Sequence, residues 1–240
     1  MVAEAGYFGS MPTQGVRDRL NQLRTRIAGR LRLGLYSRST RYGLCRDLAV
    51  PFENPRAKIT IGIRPLIEAD IPSLLPIDGS THDAQDKLEI AWRRVFIEKG
   101  AKGCFVAVDQ HNDAPCYMQW LMSPAENGFI RRLRGFPELG QNEALLENAY
   151  TPSNYRGLGI MSAAMALIAE RAADFGARYV LTFVDEHNVA SLKGCERSGF
   201  YPHMLHRRVE IMFGLVKWDR FERLSKSDTR RNFRFYPVSV

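Results

Sequence analysis

Tyr155-Arg-Gly-Leu-Gly-Ile-Met-Ser-Ala163 is the stretch on which the fold of this 240-residue chain turns. An apolar run from Ala144 to Tyr150 precedes it and ends in Thr151-Pro152, and Met161 to Phe175 follows with Ala, Met, Leu and Ile at helical spacing. This predicts a strand, a tight turn and a helix start. Gly157 and Gly159 carry no Cβ, so the backbone can bend sharply and let its amides approach a ligand, just where the first helical N–H groups lack partners. The amides of Arg156, Gly157, Leu158, Gly159, Ile160 and Met161 are therefore a candidate anion cradle, with the Arg156 guanidinium at its mouth. A helix start that uses glycine only as a hinge has the same pattern.

Thirty residues on, Tyr179-Val-Leu-Thr-Phe-Val184 leads into Asn188-Val-Ala-Ser191-Leu-Lys-Gly-Cys195-Glu-Arg197-Ser-Gly199-Phe200. This reads as strand, loop, short helix and glycine stop. Taken with the turn, it resembles the GNAT superfamily of N-acetyltransferases. In that family an Arg-x-x-Gly-x-Gly/Ala loop binds the pyrophosphate of coenzyme A, and a later Asn-x-x-Ser segment ending in Gly-Phe flanks the pantetheine. Arg156 and Gly159 fill the first two loop positions, and Asn188, Ser191, Gly199 and Phe200 fit the second motif. Met161 stands where Gly or Ala is usual, and Cys195 where many members carry a tyrosine. The resemblance is clearest over Tyr155 to Phe200 and extends from about Thr60 to Leu215.

The resemblance implies an α/β (α+β) fold, a mixed, mostly antiparallel central sheet flanked by helices, here behind a basic helical N-terminal extension. It implies an acyltransferase that moves an acetyl or other acyl group from acyl-CoA to a primary amine on a small molecule or peptide, by direct attack in a ternary complex. Acyl-CoA is then the co-substrate, and no metal is expected. In such folds the strands before the two motifs splay apart, and their backbone groups polarise the acyl carbonyl; here those strands are Ala144 to Tyr150 and Tyr179 to Val184. Two alternatives stay open, a transferase of this fold that takes its acyl group from aminoacyl-tRNA and a CoA-binding module without turnover.

For the proton, Glu147 is an acidic residue inside an otherwise apolar strand, which suits a base with a pKa raised by burial. Glu143, Asp185, Glu186 and His187 are the other candidates near the strand ends. Cys195, in place of the tyrosine, is a second catalytic candidate as a thiol acid; a small half-buried helix residue is the plainer reading. The departing thiolate needs little help, because a thiol with pKa ~8.5 is nearly stable as an anion at neutral pH.

Composition is ordinary for a globular chain, with 45% hydrophobic residues. No apolar run approaches the ~20 residues that span a bilayer, and no apolar block with a cleavage site opens the chain, so a cytoplasmic location is expected. Cys45, Cys104, Cys116 and Cys195 are scattered, without the spacing of a zinc site or a disulfide framework.

The net charge of +8 is uneven. Between Met11 and Lys58 there are ten Arg and one Lys against three acidic residues, whereas Ile59 to Val216 carries sixteen basic and nineteen acidic ones. Val16, Leu20, Leu23, Ile27 and Leu31 recur at helical spacing among arginines, which predicts a basic amphipathic helix. Arg24, Arg26 and Arg30 on it are candidate contacts to tRNA. Anionic lipid, an acidic carrier protein, or the chain's own acidic surface would suit the same helix. A homodimer is also open.

The expected organisation is an extension over residues 1–58, a transferase domain over 59–216 and a basic tail over 217–240. Inside the domain the sequence predicts a strand at Thr60 to Pro65 and a helix at Asp83 to Gly100. A hairpin follows, Gly103 to Asp109 with Pro115 to Met122, around an Asn112-Asp113-Ala114 turn. Pro124 to Gly140, with Arg131, Arg132 and Arg134, reads as loop, and Met204 to Val209 and Ile211 to Val216 as closing strands. Trp218 and Phe221 are expected to cover an edge.

Overall fold

Cys104–Asp109 and Ala114–Met122 are apolar at nearly every position, as strands are when both faces of their sheet are covered. They are β3 and β4 of a sheet of eight in the computed structural model, which describes residues 34–76, 83–225 and 227–231. The other strands are β1 Tyr36–Asp47, β2 Ile61–Pro65, β5 Glu143–Tyr150, β6 Tyr179–Asp185, β7 Tyr201–Ile211 and β8 Val216–Arg223. Their order is β2-β3-β4-β5-β6-β1-β7-β8. The registers of β2 with β3, β3 with β4, β4 with β5 and β1 with β6 are antiparallel, and β5 with β6 is parallel. The described helices are α1 Ile71–Leu74, α2 Ala84–Glu98, α3 Asn127–Leu133, α4 Ile160–Glu170 and α5 Val189–Arg197. The sheet is mixed, mostly antiparallel and flanked by helices, the architecture the resemblance implies.

Each face of the sheet has its own core. Ile160, Met165 and Ile168 of α4 and Leu192 and Cys195 of α5 pack with Leu146, Val180 and Val184 on one side. Leu74, Ile90 and Phe96 pack with Trp120, Leu145 and Leu181 on the other. Trp120 is fully buried there, edge-on to Phe96 at 5.1 Å between ring centres. Side chains of this size each contribute about 1.5–3 kcal/mol when taken out of water.

The chain divides into two compact units. The larger is Thr40–Arg207 with Arg220–Val240, and the smaller joins residues 34–39 to Arg208–Asp219. Within the smaller, the turn after β7 donates Met212 N–H to Leu35 O at 2.9 Å, and Arg208 pairs with Asp219 at 2.8 Å.

Four expectations change against this structure. Residues 36–47, placed in the extension by their charge, supply β1, paired along Arg41 to Asp47 with β6. Arginine misled there because Arg46 is buried, its guanidinium donating to Ala166 O at 3.0 Å and to Glu170 at 3.1 Å. The boundary expected at residue 216 falls at the first residue of β8, which also contains Trp218 and Phe221. Pro124 to Gly140 is not all loop: Ser123 accepts the Ala125 N–H and starts a short helical turn that runs into α3, so Arg131 and Arg132 are helical. The last turn is at residues 212–215, where Met212, Phe213 and Gly214 adopt positive φ of 51°, 57° and 74°. Glu210, which looked like the break, lies inside β7 and pairs with Lys217. The amphipathic helix expected from Val16 to Leu31, with Arg24, Arg26 and Arg30, lies outside the described residues.

Candidate active site

The site begins where β5 stops being a regular strand. Met118 pairs with Tyr150 and Trp120 with Glu147, so Asn148 and Ala149 together face Gln119. Two residues against one make a β-bulge. Asn148 carries it with φ 62°, a left-handed conformation that asparagine tolerates better than other residues with a Cβ. On the other side, the register of β5 with β6 runs from Glu143 against Tyr179 to Leu145 against Leu181. A cleft of about 180 Å³ lies beside the bulge and the ends of β5 and β6.

Glu147, Met161, Asn188, Ser191 and Cys195, five of the residues singled out from sequence, line that cleft. Gln119, Asn148, Ala149 and Thr182 to Asp185 complete it. Glu147 reaches across the strands, its Oε1 accepting the Phe183 N–H at 2.6 Å. Burial pushes its carboxyl up to about 7. Arg41, the Phe183 and Asn148 N–H groups and Thr182 all pull the other way, and burial outweighs them. Of the other base candidates Asp185 also lines the cleft. Glu143 accepts the Gly140 N–H at 2.9 Å, Asp185 accepts the His187 N–H at 2.9 Å, and His187 is 89% exposed with Glu186 3.8 Å away.

Cys195 is buried, with Sγ 3.7 Å from Met165 Sδ, and burial raises its thiol far above the ordinary range. It stays protonated, which removes it as a nucleophile and leaves a thiol at the cleft wall. Asn188 caps α5, its Oδ1 accepting the Ser191 N–H at 3.1 Å. Met161 fits because Gly194 of α5 faces it: a Cβ on Gly194 would lie 3.0 Å from Met161 Sδ.

The turn from Arg156 to Ile160 does not line this cleft; it leads into the first turn of α4. Gly157 and Gly159 have φ of 77° and 75°, as a turn of this shape requires, and a Cβ on Gly157 would meet nothing within 4 Å. The turn is thus open at Gly157, whereas a Cβ on Gly159 would lie 3.6 Å from Arg56 O. Its Leu158 carbonyl accepts the Lys58 N–H at 2.8 Å, which brings residues 56–58 alongside, with Arg56 and Lys58 exposed. Arg156 is held, its Nη2 bonded to the buried Asp86 carboxylate of α2 and its Nε to Thr151 O at 3.1 Å.

Four residues of this region were not singled out from sequence. Asp86 is the Arg156 partner. Asn148 forms the bulge, and its Nδ2 is buried at the cleft without a hydrogen-bond partner. Arg41 donates to His206 Nδ1 and Gly135 O, lies 4.9 and 5.5 Å from the Phe136 and Phe183 ring centres, and acts on Glu147. Arg93 of α2 is bonded to the bulge itself. The sequence signal among them is that Asp86 and Arg93 fall in the buried register Asp86, Ile90, Arg93, Phe96 of their helix.

Among the described residues no group of three or more His, Cys, Asp or Glu gathers to hold a metal, and no helix is long and apolar enough to cross a membrane. Arg131 is exposed and pairs with Glu138 at 3.0 Å, so that cluster is solvated.

A family model described as the acetyltransferase (GNAT) family matches residues 81–200. No curated protein matches the chain. Solved structures are similar as well, three among them as follows. One is a Drosophila protein, at 10% identity, 84% of this chain, 59% of that one and a TM-score of 0.46. The second is a GCN5-related N-acetyltransferase from Sphaerobacter thermophilus, at 14% identity, 82% and 56% coverage and a TM-score of 0.45. The third is the GCN5-related glucosamine N-acetyltransferase region of a fungal multi-domain GH3 β-N-acetylglucosaminidase, at 15% identity, 78% and 22% coverage and a TM-score of 0.51. The last is a likeness of fold alone, and the chain spans less than two thirds of each of the three.

Proposed function

The chain belongs to the acetyltransferase (GNAT) family, and from that premise we propose that it transfers an acetyl or other acyl group from acyl-CoA to a primary amine by direct attack, with Glu147 as the base. The observation that carries this reading is the carboxyl of Glu147, raised to about 7, in a cleft it shares with a β-bulge.

The residues present suit the co-substrate. The turn at Gly157 and Gly159, open at Gly157 and with the unpaired first amides of α4 behind it, would hold the pyrophosphate; Arg156, Arg56 and Lys58 would add positive charge. Met161, Asn188 and Ser191 would flank the pantetheine where they line the cleft. When bound, acyl-CoA supplies an activated thioester carbonyl and a leaving thiolate that is nearly stable at neutral pH.

The protein's own part is positioning and proton handling. Peptide groups of the bulge at Asn148 and Ala149 have no register partner on β4, and those not taken by Glu147 would polarise a carbonyl held in the cleft. Glu147, ionised above pH 7, accepts a proton from the attacking amine directly or through water. Its bonds with the Phe183 and Asn148 N–H groups and with Thr182 hold the carboxyl at the cleft for that task. Cys195, kept neutral by burial, would remain a thiol in the cleft wall.

The test is calorimetry with CoA, followed by release of CoA thiol from acetyl-CoA over a panel of primary amines, including polyamines, arylalkylamines, amino sugars and lysine peptides. Binding without turnover on any amine would leave the CoA-binding module; no binding, with transfer from aminoacyl-tRNA, would replace the donor.

A further inference from the structure

Arg93 sits in the middle of α2 and is only 5% exposed. Its Nη1 donates to Glu89 O at 2.8 Å and to the Glu89 carboxylate, its Nη2 donates to Ala149 O, and its guanidinium carbon lies 5.0 Å from the Tyr150 ring centre. Its Nε is buried with no partner. Taking a guanidinium out of water costs several kcal/mol unless its donors are used, and one donor here is not. A core arginine that is incompletely satisfied calls for a reason beyond packing.

The reason is the carbonyl it holds. Asn148 and Ala149 have no ladder partners, and Asn148 is in a left-handed conformation that persists only where its surroundings over-determine it. Because a trans peptide is planar, fixing the Ala149 carbonyl fixes the Tyr150 N–H on its opposite side and restrains the dihedrals of the bulge. Glu147 is the residue just before it. A single guanidinium on α2 thereby sets both the peptides that face the cleft and the origin of the base.

We propose that Arg93 is a positioning residue for acyl transfer, holding the Ala149 carbonyl so that the bulge presents its amides to the acyl carbonyl. This rests on the preceding reading of the cleft and the turn. Arg93 touches no substrate; it acts through Ala149.

Arg93→Met keeps an unbranched apolar stem and removes the donors. The probe is acetyl-CoA labelled at the carbonyl carbon, whose stretching band reports polarisation when bound. The expected result is a band in Arg93→Met moved back towards that of free acetyl-CoA. With the best amine of the panel, kcat should fall about 10- to 100-fold, since small misplacements cost rates of that order. The KM for acetyl-CoA and the calorimetric affinity for CoA should stay within about twofold, because neither turn nor α4 is touched. Arg93→Lys, which can still reach one carbonyl, should recover part of both the band shift and kcat. If Arg93→Met does not fold, Arg93→Gln carries the test with the same readouts. A wild-type band shift and kcat retained in the folded variant overturn the role of Arg93 alone. A wild-type protein that binds CoA but leaves the band unmoved overturns the bulge as the polarising element. One that binds no CoA overturns the reading on which both rest.

Discussion

Replacing Glu147 by Gln removes one titrating group and keeps the shape of the side chain. Burial raises this carboxyl from 4.5 to about 7 against the pull of Arg41 and three hydrogen bonds. The folded protein therefore keeps a proton that the unfolded chain releases between those two values. Where the unfolded state binds fewer protons, unfolding free energy falls as pH rises, so this group erodes stability from about pH 4.5 to 7 and has no further effect above. A tenfold change in proton affinity is worth about 1.4 kcal/mol, which makes the full effect at most about 3.5 kcal/mol. Other groups titrate in the same window, but they do so in both proteins and cancel in the difference. The assay is urea denaturation of wild type and Glu147→Gln at pH 5 and pH 8. Relative to wild type, the variant should be about 2–3 kcal/mol more stable at pH 8 than at pH 5. In turnover, wild-type kcat should rise with pH and level off near 7, whereas the variant should lack that inflection and lose least at high pH, where the amine is already neutral. A stability difference independent of pH would refute the buried environment, and an unchanged rate profile would refute the base.

The other predictions concern the groups around it. Arg41→Met withdraws the charge that lowers the Glu147 carboxyl, so the inflection in kcat should move to higher pH while CoA affinity measured by calorimetry holds; an unmoved inflection would deny the coupling. Arg156→Ala should weaken CoA binding by roughly 1.5–3 kcal/mol, the range for a hydrogen bond to a charged group. Asp86→Asn, which loosens the hold on that guanidinium, should tighten CoA binding; calorimetry on both variants checks the pair, and two unchanged affinities would remove Arg156 from the site. Gly159→Val places a β-branched residue at φ 75°, which costs about 1–2 kcal/mol of stability and should weaken CoA binding further, to be read by denaturation and calorimetry together.

The elements that carry the turn and the cleft were readable because their signals are local. β3 to β6 are apolar runs bounded by Gly, Pro or an Asn-Asp turn, and α2, α4 and α5 have helical periodicity with Asp83, Gly159 and Asn188 at their starts. β1 and β8 were not readable in the same way. Their charged residues look like surface, but a charged strand is what an edge requires, and β8 is an edge. In β1 Arg46 is buried, with its guanidinium carbon 4.8 Å from the Phe52 ring centre.

Within the site, an acidic residue in an apolar strand marked Glu147, yet nothing local marked what surrounds it. Arg41 comes from β1 and Phe183 from β6, and the bulge is made by Asn148 without the glycine that would have announced it. Arg46 and Arg93 share a logic that explains why such residues escape a local reading. Both are buried, both leave Nε unpaired, and both, besides side-chain partners (Asn54 and Glu170 for one, Glu89 for the other), donate to backbone carbonyls far away in sequence: Ala166 and Ser198 for one, Ala149 for the other. Ser198 follows the last turn of α5, where carbonyls lack helical partners, and Ala149 lies in a break of the ladder. An unpaired carbonyl in a core costs as much as a lost hydrogen bond, so a buried arginine is retained where the backbone must be irregular. The irregularity is at the cleft in one case and at a helix end in the other, which is why burial alone does not tell a positioning arginine from a structural one, and the carbonyl it serves does.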